Sequence, residues 1–345
     1  MPVRNYGVLK GHAIGRVMEF ESKSPHYQIH LKADGTDYRI AVNVKSSDPK
    51  VTSKAAELLF LVDEHFTHQV TQELPNLPEG FTPLEREPGG LALDYIRSNL
   101  FKRQDMQTLP FDLPGEDNDL NEKLDTFIKR ALNDSTVDLY AFGSRFGPEK
   151  GERDKVFKFD TGNGIHNIHM NQGNPKGNHD GDNGVYQDGA LFIHFTQTNR
   201  WVAIFLAFQS QAWHTNDKTG HPETGIDLGS ANDPNPSEPD HQVRIVAALV
   251  NPPGADPGLE TVTLLNTTPE ALDLNGWMIA DRFKHKQSLT GTLKPNSPLV
   301  ITLSPDVQLG NKGGIITLLN PQGLKVDGVS YTAADARVEG RSVVF

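Results

Sequence analysis

The chain has 345 residues, carries 44 acidic against 33 basic side chains for a net charge of −11, and contains no cysteine. Disulfides, thiolate nucleophiles and sulfur-ligated zinc are excluded. A basic footprint for nucleic acid is absent from the chain as a whole, although a metal ion can screen phosphate locally.

The length exceeds one ordinary domain, and 31 glycines and 23 prolines predict a strand- and loop-rich protein. No stretch approaches the ~20 apolar residues of a membrane helix, and the N-terminal residues 1–7 lack the apolar core of a signal peptide. The expectation is a cytoplasmic protein with no membrane span; export by a route that reads no N-terminal signal stays open.

Residues 4–64 read as a small β unit. Tyr27 to Leu31 and Tyr38 to Val44 alternate on either side of Asp34-Gly35, a hairpin signal. Glu57 to Val62 fits a strand or a short helix. His12, His26, His30, His65 and His68 read as surface or sheet-face histidines. Residues 71–90, with Pro75, Pro78, Pro83 and Pro88, read as a loop.

Leu91, Leu93, Tyr95, Ile96 and Leu100 then lie near helical spacing. Asp117 to Asp119 can cap a further helix with Leu120, Leu124, Phe127, Ile128 and Leu132 on one face. Val137 to Phe146 reads as a strand, followed by a charged loop from Gly147 to Lys155.

Gly189 to Thr196 and Trp201 to Gln209 form the strongest hairpin pattern. With Thr198-Asn199 as a two-residue turn, His194 faces Ala203, Phe192 faces Phe205 and Asp188 faces Gln209. Leu191, Ile193, Phe195, Val202, Ile204, Leu206 and Phe208 then make the core face, and Asp188, His194, Gln209 and Gln211 share the other.

Residues 231–240 read as a linker. From 241 onward short strands alternate with turns: Val243 to Val250, Thr261 to Leu265, Trp277 to Ala280, Leu299 to Leu303, Gly314 to Leu319 and Val326 to Tyr331. That spacing predicts a sandwich. Glu260 to Asn266, Leu272-Asp273-Leu274-Asn275-Gly276-Trp277, Asn311-Lys312-Gly313-Gly314 and Val326 to Tyr331 resemble the lamin-tail domain, which implies an immunoglobulin-like sandwich used for binding or tethering to another protein or surface.

The densest run of hydrogen-bonding side chains is Gly162 to Asn174. Its glycines argue against a helix. On a strand, Asn167, His169 and Asn171 share one side, while His166, Ile168 and Met170 share the other. This stretch, with Asp188 to Phe195 and Trp213-His214-Thr215, resembles the YukJ-like family over roughly residues 1–230; no activity accompanies that resemblance.

The residues nominate His166, His169 and His194 as catalytic, and Asn167, Asn171, Gln172, Asn174 and Gln209 as substrate-binding. His169, His194, Asp188 and His214 are nominated for a divalent metal ion. Asp188 and His194 lie about 20 Å apart along a strand and meet one ion only if the strand begins after Asp188. A second version uses histidines as general acid and base beside an anion such as phosphate.

Asn178 to Gly184 fails the pattern of a calcium loop, and neither a Gly-x-Ser-x-Gly elbow nor a nucleotide-cofactor motif is present. The plainer reading of the stretch is a hydrogen-bonded turn network.

The expected fold is mostly β. An α+β domain over 1–230 comprises a β-rich part to residue 70, a loop over 71–90, and helices with an antiparallel sheet from 91. A linker over 231–240 and a lamin-tail-like sandwich over 241–345 follow. The expected function is a metal-dependent hydrolase, phosphodiesterase or nuclease-like, with phosphodiesters or nucleic acid as substrate. The alternative is a non-catalytic ligand-binding or scaffold protein.

Overall fold

The computed structural model describes residues 5–20, 25–45, 58–84, 100–101, 105–167, 188–208, 242–254, 258–321, 323 and 325–345. They divide into two compact units. The first holds the described residues to Phe66, Leu74–Leu84 and the described residues from 105 to 208; the second holds Thr67–Glu73, residues 100–101 and the described residues from 242 onward.

Among the described residues the first unit has ten strands: β1 (Tyr6–Met18), β2 (His26–Ala33), β3 (Thr36–Asn43), β4 (Leu58–Asp63), β5 (Gly80–Pro83), β6 (Gln107–Thr108), β7 (Val137–Arg153), β8 (Asp160–His166), β9 (Gly189–Phe195) and β10 (Arg200–Phe208). Five of them close on themselves. β1 pairs with β7 through Tyr6 to Gly11 and with β2 through His12 to Met18. β2 pairs with β3, β3 with β8 and β8 with β7. The β3–β8 contact is parallel and the others are antiparallel.

Leu9, Tyr27, Ile29, Leu31, Ile40, Val42, Leu139 and Ile165 fill the inside of this ring. Helix α1 (Leu120–Leu132), which precedes β7 in the chain, packs Leu120, Leu124, Phe127 and Ile128 into the same core. Ring order 1-2-3-5-4-1, a parallel third-to-fifth contact and a helix between the third and fourth strands are the topology of an OB-type barrel.

Local chemistry explains the elements. Asp34 (φ 42°) and Gly35 (φ 74°) are both left-handed and join Ala33 to Thr36 as the tight turn that suits a twisted hairpin. Asp119 caps α1 by accepting the Glu122 amide at 3.1 Å.

Two stretches expected to be loops are strands. Gly80–Pro83 pairs with β1 as an edge, where the missing proline N–H costs no ladder bond. The charged run after Gly147 continues β7 as far as Arg153, because β8 gives its second half a partner. Glu57 to Val62 resolves as a strand over its described part, β4, which lies beside β10. Leu91 to Ile96 lies outside the described residues.

The β9–β10 turn has four residues, closed by the Thr198 amide on the Phe195 carbonyl and the Asn199 amide on that of Thr196. Arg200 therefore faces Phe195, and Trp201, not Ala203, faces His194. Phe192 faces Ala203 in place of Phe205. The slip is two residues, so the faces are preserved: Leu191, Ile193, Val202, Ile204 and Leu206 all lie in the core.

β8 and β9 lie in line along one edge of β7. β8 pairs with the segment from Arg153 back to Ser144, and β9 with that from Phe142 back to Val137. β10, β4 and β6 extend the sheet beyond β9.

In the second unit the described strands are β11 (Val243–Leu249), β12 (Thr261–Asn266), β13 (Leu272–Asp273), β14 (Met278–Ala280), β15 (Lys286–Ser288), β16 (Thr292–Leu293), β17 (Pro298–Thr302), β18 (Gly313–Leu319), β19 (Lys325–Thr332) and β20 (Val343–Val344). Sheets β17-β12-β11-β20 and β15-β14-β18-β19 share one core, with Val243, Ile245, Val262 and Leu264 from one and Ile279, Ile316, Leu318 and Val326 from the other. The result is a sandwich. Buried carboxylates pin its loops: Glu260 accepts the Leu309 amide at 2.8 Å, and Asp281 accepts the His285 and Gln308 amides.

Candidate functional site

The barrel's inward parity dictates an outward one. With Tyr27, Ile29 and Leu31 inside, β2 must present His26, Gln28 and His30 outside. By the same rule β3 presents Arg39, Ala41 and Asn43, and β8 presents Gly164 and His166. The ladder aligns Gln28, Ala41, His166 and Ser144 in one row, with His26 opposite Asn43 in the next.

Ala41 carries only a methyl group, so the His166 ring reaches across β3. Its Nε2 comes to 2.9 Å from His26 Nε2, with ring centroids 5.0 Å apart. Both rings are half-buried.

Glu19, just past β1, fixes the far side of His26. Its carboxylate accepts the His26 amide at 3.1 Å and lies 3.8 Å from His26 Nδ1. It also accepts Gln28 Nε2 at 2.8 Å. From there the network runs along the same face: Arg39 Nη1 donates to Gln28 Oε1 at 2.8 Å, and Arg39 Nε donates to Asp154 Oδ2 at 2.7 Å. Asp154 Oδ1 accepts the amides of Val156 and Phe157.

Gln28, Arg39, Asn43 and Asp154 are all buried. Burial alone raises the Asp154 carboxyl, but the Arg39 hydrogen bond, the two amides and the Arg39 charge outweigh it and hold the group below the usual carboxylate range. Arg39 also covers the Phe146 ring at 4.8 Å, and His30 stacks against Phe157 and Phe159 at 4.8 and 5.1 Å. A contact between two imidazole nitrogens at 2.9 Å holds one shared hydrogen, donated by one ring to the lone pair of the other, or one cation.

The residues nominated from sequence separate. His166 lies in this cluster. Asn167, expected to touch substrate, is fully buried at the seam between β8 and β9. Its Nδ2 donates to the carbonyls of Phe142 (3.0 Å) and Ala190 (2.7 Å), and its amide donates to that of Ala41 (2.9 Å). A Cβ on Gly189 would fall 1.4 Å from the Asn167 carbonyl oxygen, so the two strand ends meet backbone to backbone.

His194 is not beside His166. It lies opposite Asp138 on β7, whereas His166 lies opposite Ser144, six positions and about 20 Å away. Its ring stacks flat on Trp201 at 4.1 Å, and its Nε2 meets Asn199 Oδ1 at 3.0 Å.

Asp188 sits at the opposite end of β9 from His194. The strand does begin just after Asp188, yet its six steps still part the two by about 20 Å, too far for one ion. The Asp188 carbonyl accepts the Tyr6 hydroxyl at 3.0 Å; burial, with the Asp188 charge, raises that hydroxyl's pKa and keeps it a donor. His169, Asn171, Gln172, Asn174, Gln209 and His214 lie outside the described residues. Among the described residues no three histidine or carboxylate side chains converge as a metal site.

The sequence reading missed His26, Glu19 and Asn43. The available signal was the polar series His26, Gln28 and His30 set against Tyr27, Ile29 and Leu31, which marks a strand whose second face also carries hydrogen-bonding chemistry.

A family model described as "Uncharacterized conserved protein (DUF2278)" matches residues 1–220, and the Lamin Tail Domain model matches residues 236–333. The "Uncharacterized protein YukJ" of Bacillus subtilis (strain 168) is 43% identical over 229 residues, 66% of this chain and 97% of that protein. Both resemblances read from sequence are borne out, and with them the mostly-β class and the immunoglobulin-like C-terminal sandwich. The His26–His166 face falls wholly within the 1–220 match. No helix of the described residues is long and apolar enough to cross a membrane.

Proposed function

The chain belongs to the DUF2278 family, and we propose that it is a hydrolase of phosphoester bonds whose reacting centre is the His26–His166 pair. The carrying observation is the 2.9 Å approach of two Nε2 atoms on rings that keep partial exposure, with Glu19 behind one of them. Imidazoles so placed hold a proton or a cation where a substrate can reach it, and either can activate water. The chain has no cysteine and no serine elbow, so water is the nucleophile this centre suits. The net charge of −11 favours a small phosphodiester over a polymer. The lamin-tail sandwich then serves as a tether.

The test is hydrolysis of bis(p-nitrophenyl) phosphate by the full chain, with and without added divalent ions. His26→Ala and His166→Ala should each lower the rate about 100-fold or more while thermal unfolding stays cooperative. Absence of turnover under every condition, or equal turnover in both variants, would refute the reading.

A second reading is favoured by the closed run Glu19–Gln28–Arg39–Asp154, whose members satisfy one another as a structural network does. On that reading the face recognises a ligand without turning it over, and both variants would lose binding only.

A further inference from the structure

We infer that His26 Nε2, His166 Nε2 and Asn43 Oδ1 together hold one first-row divalent transition-metal ion. The inference rests on the reading of this face as the reacting centre and names its cofactor. Of the residues nominated for metal in the sequence, His194 lies about 20 Å away along β7, and His169 and His214 lie outside the described residues.

The first argument is distance. Two nitrogens each about 2.05 Å from one ion, and about 90° apart around it, stand about 2.9 Å from each other. The observed separation is 2.9 Å. Tetrahedral coordination needs only a few tenths of an ångström more.

The second argument is the tautomer. Glu19 lies behind His26 on the Nδ1 side while also holding its backbone amide. A carboxylate there favours the proton on Nδ1 and leaves the Nε2 lone pair facing His166, the outer-shell arrangement typical of metal-bound imidazoles.

The third argument is Asn43. It stands directly across from His26 on the same face, is 8% exposed, and its Oδ1 has no hydrogen-bond partner among the described residues. Buried amide oxygens are rarely left so, and each such case calls for an explanation; an ion or ordered water is one.

Two neutral imidazoles and one amide oxygen favour ions of the zinc and cobalt type over magnesium or calcium. Among the described residues three donors are available, and a remaining coordination position suits water.

The full chain, freed of metal by chelator dialysis, is titrated with Co2+ and read by its visible absorption, then competed with Zn2+. One equivalent should bind per chain. His26→Ala and His166→Ala should each weaken binding about 100-fold or more, and Asn43→Ala and Glu19→Gln about 10-fold. Asn43→Asp should bind at least as tightly as the natural chain, and His194→Phe should bind unchanged.

Should an alanine variant fail to fold, mass-spectrometric mapping of diethyl pyrocarbonate modification on the natural chain decides instead. Zn2+ must protect both His26 and His166. Binding that survives in folded His26→Ala or His166→Ala, or modification of both rings unaffected by Zn2+, overturns the site. Specific Zn2+ binding without phosphoester turnover would leave the site standing and retire the hydrolase. Turnover by chelator-treated, metal-free protein would do the reverse.

Discussion

Removing the Asp154 carboxylate tests how the site's floor is held. Arg39 and Asp154 have side chains only 7% and 1% exposed, and their 2.7 Å contact is the charge-neutralising link on the face that carries His26. Asp154→Ala leaves the guanidinium with Gln28 Oε1 and the Phe146 ring, neither of which cancels its charge. Breaking a buried pair from one side costs about 3–5 kcal/mol. We expect about 4, because the Val156 and Phe157 amides also lose their acceptor. Asp154→Asn keeps acceptor capacity without the charge and should cost about 2–3 kcal/mol. Arg39→Met combined with Asp154→Leu removes both charges and should cost less than Asp154→Ala alone. In urea titrations of the full chain, an m-value of about 2 kcal/mol/M converts 4 kcal/mol into a midpoint shift of about 2 M for the unit carrying the barrel. The sign with pH follows from the depressed carboxyl: its stabilisation is present above the unfolded value of 3.8 and is lost as pH falls through the lower folded value. The gap between natural chain and Asp154→Asn should therefore close in acid below about pH 4. A shift under about 0.5 M for Asp154→Ala, or a double variant weaker than the single one, would refute a charge-based role for the pair.

Three further outcomes follow from the seam and the hairpin. Gly189→Ala places a methyl 1.4 Å from the Asn167 carbonyl oxygen, so the variant should lose about 3 kcal/mol or more, or fail to accumulate as soluble protein; a thermal midpoint within a few degrees of the natural one would contradict this. Asn167→Ala strips two buried carbonyls of their donor and should cost about 2–4 kcal/mol in urea unfolding, and a cost under about 0.5 would remove its structural role. His194→Phe preserves the stack on Trp201 and should cost no more than about 1 kcal/mol in unfolding while leaving phosphoester turnover unchanged, so a large loss of turnover in a folded variant would restore His194 to the reaction.

Local chemistry was legible in the sequence wherever the determinant lies within a few residues. Asp34-Gly35 marked its turn because both positions must be left-handed, and Asp119 marked the start of α1 because its side chain replaces a missing amide partner. The faces of β9 and β10 were legible although their register was not, since a two-residue slip leaves parity intact. The ring was not legible. Its closing contacts join β1 to β7 and β3 to β8 across more than a hundred residues, and nothing in a short window encodes a parallel partner so remote. The site suffered the same way. His26 was rightly placed on a sheet face, but its partner is 140 positions away. The sequence reading instead grouped His166 with His194, which the alignment of β8 with β9 sets about 20 Å apart along one edge.

His166 and His194 are held in place in different ways. His194 is held at the ring, one face lying flat on Trp201 and Nε2 occupied by Asn199. His166 is held at the backbone. It pairs with Ala41 on one side and Ser144 on the other, its carbonyl oxygen lies so near Gly143 that an added Cβ there would come within 2.2 Å, and the next residue is anchored by three hydrogen bonds. Backbone anchoring fixes where the imidazole stands while leaving Nε2 to face another group, and that group is a second imidazole positioned by Glu19. A site needs its supporting residues to be rigid so that the reacting atoms need not be bound to each other by packing. On this barrel the rigidity comes from the Asn167 seam on one side and the Glu19–Gln28–Arg39–Asp154 run on the other, and His26 and His166 meet between them.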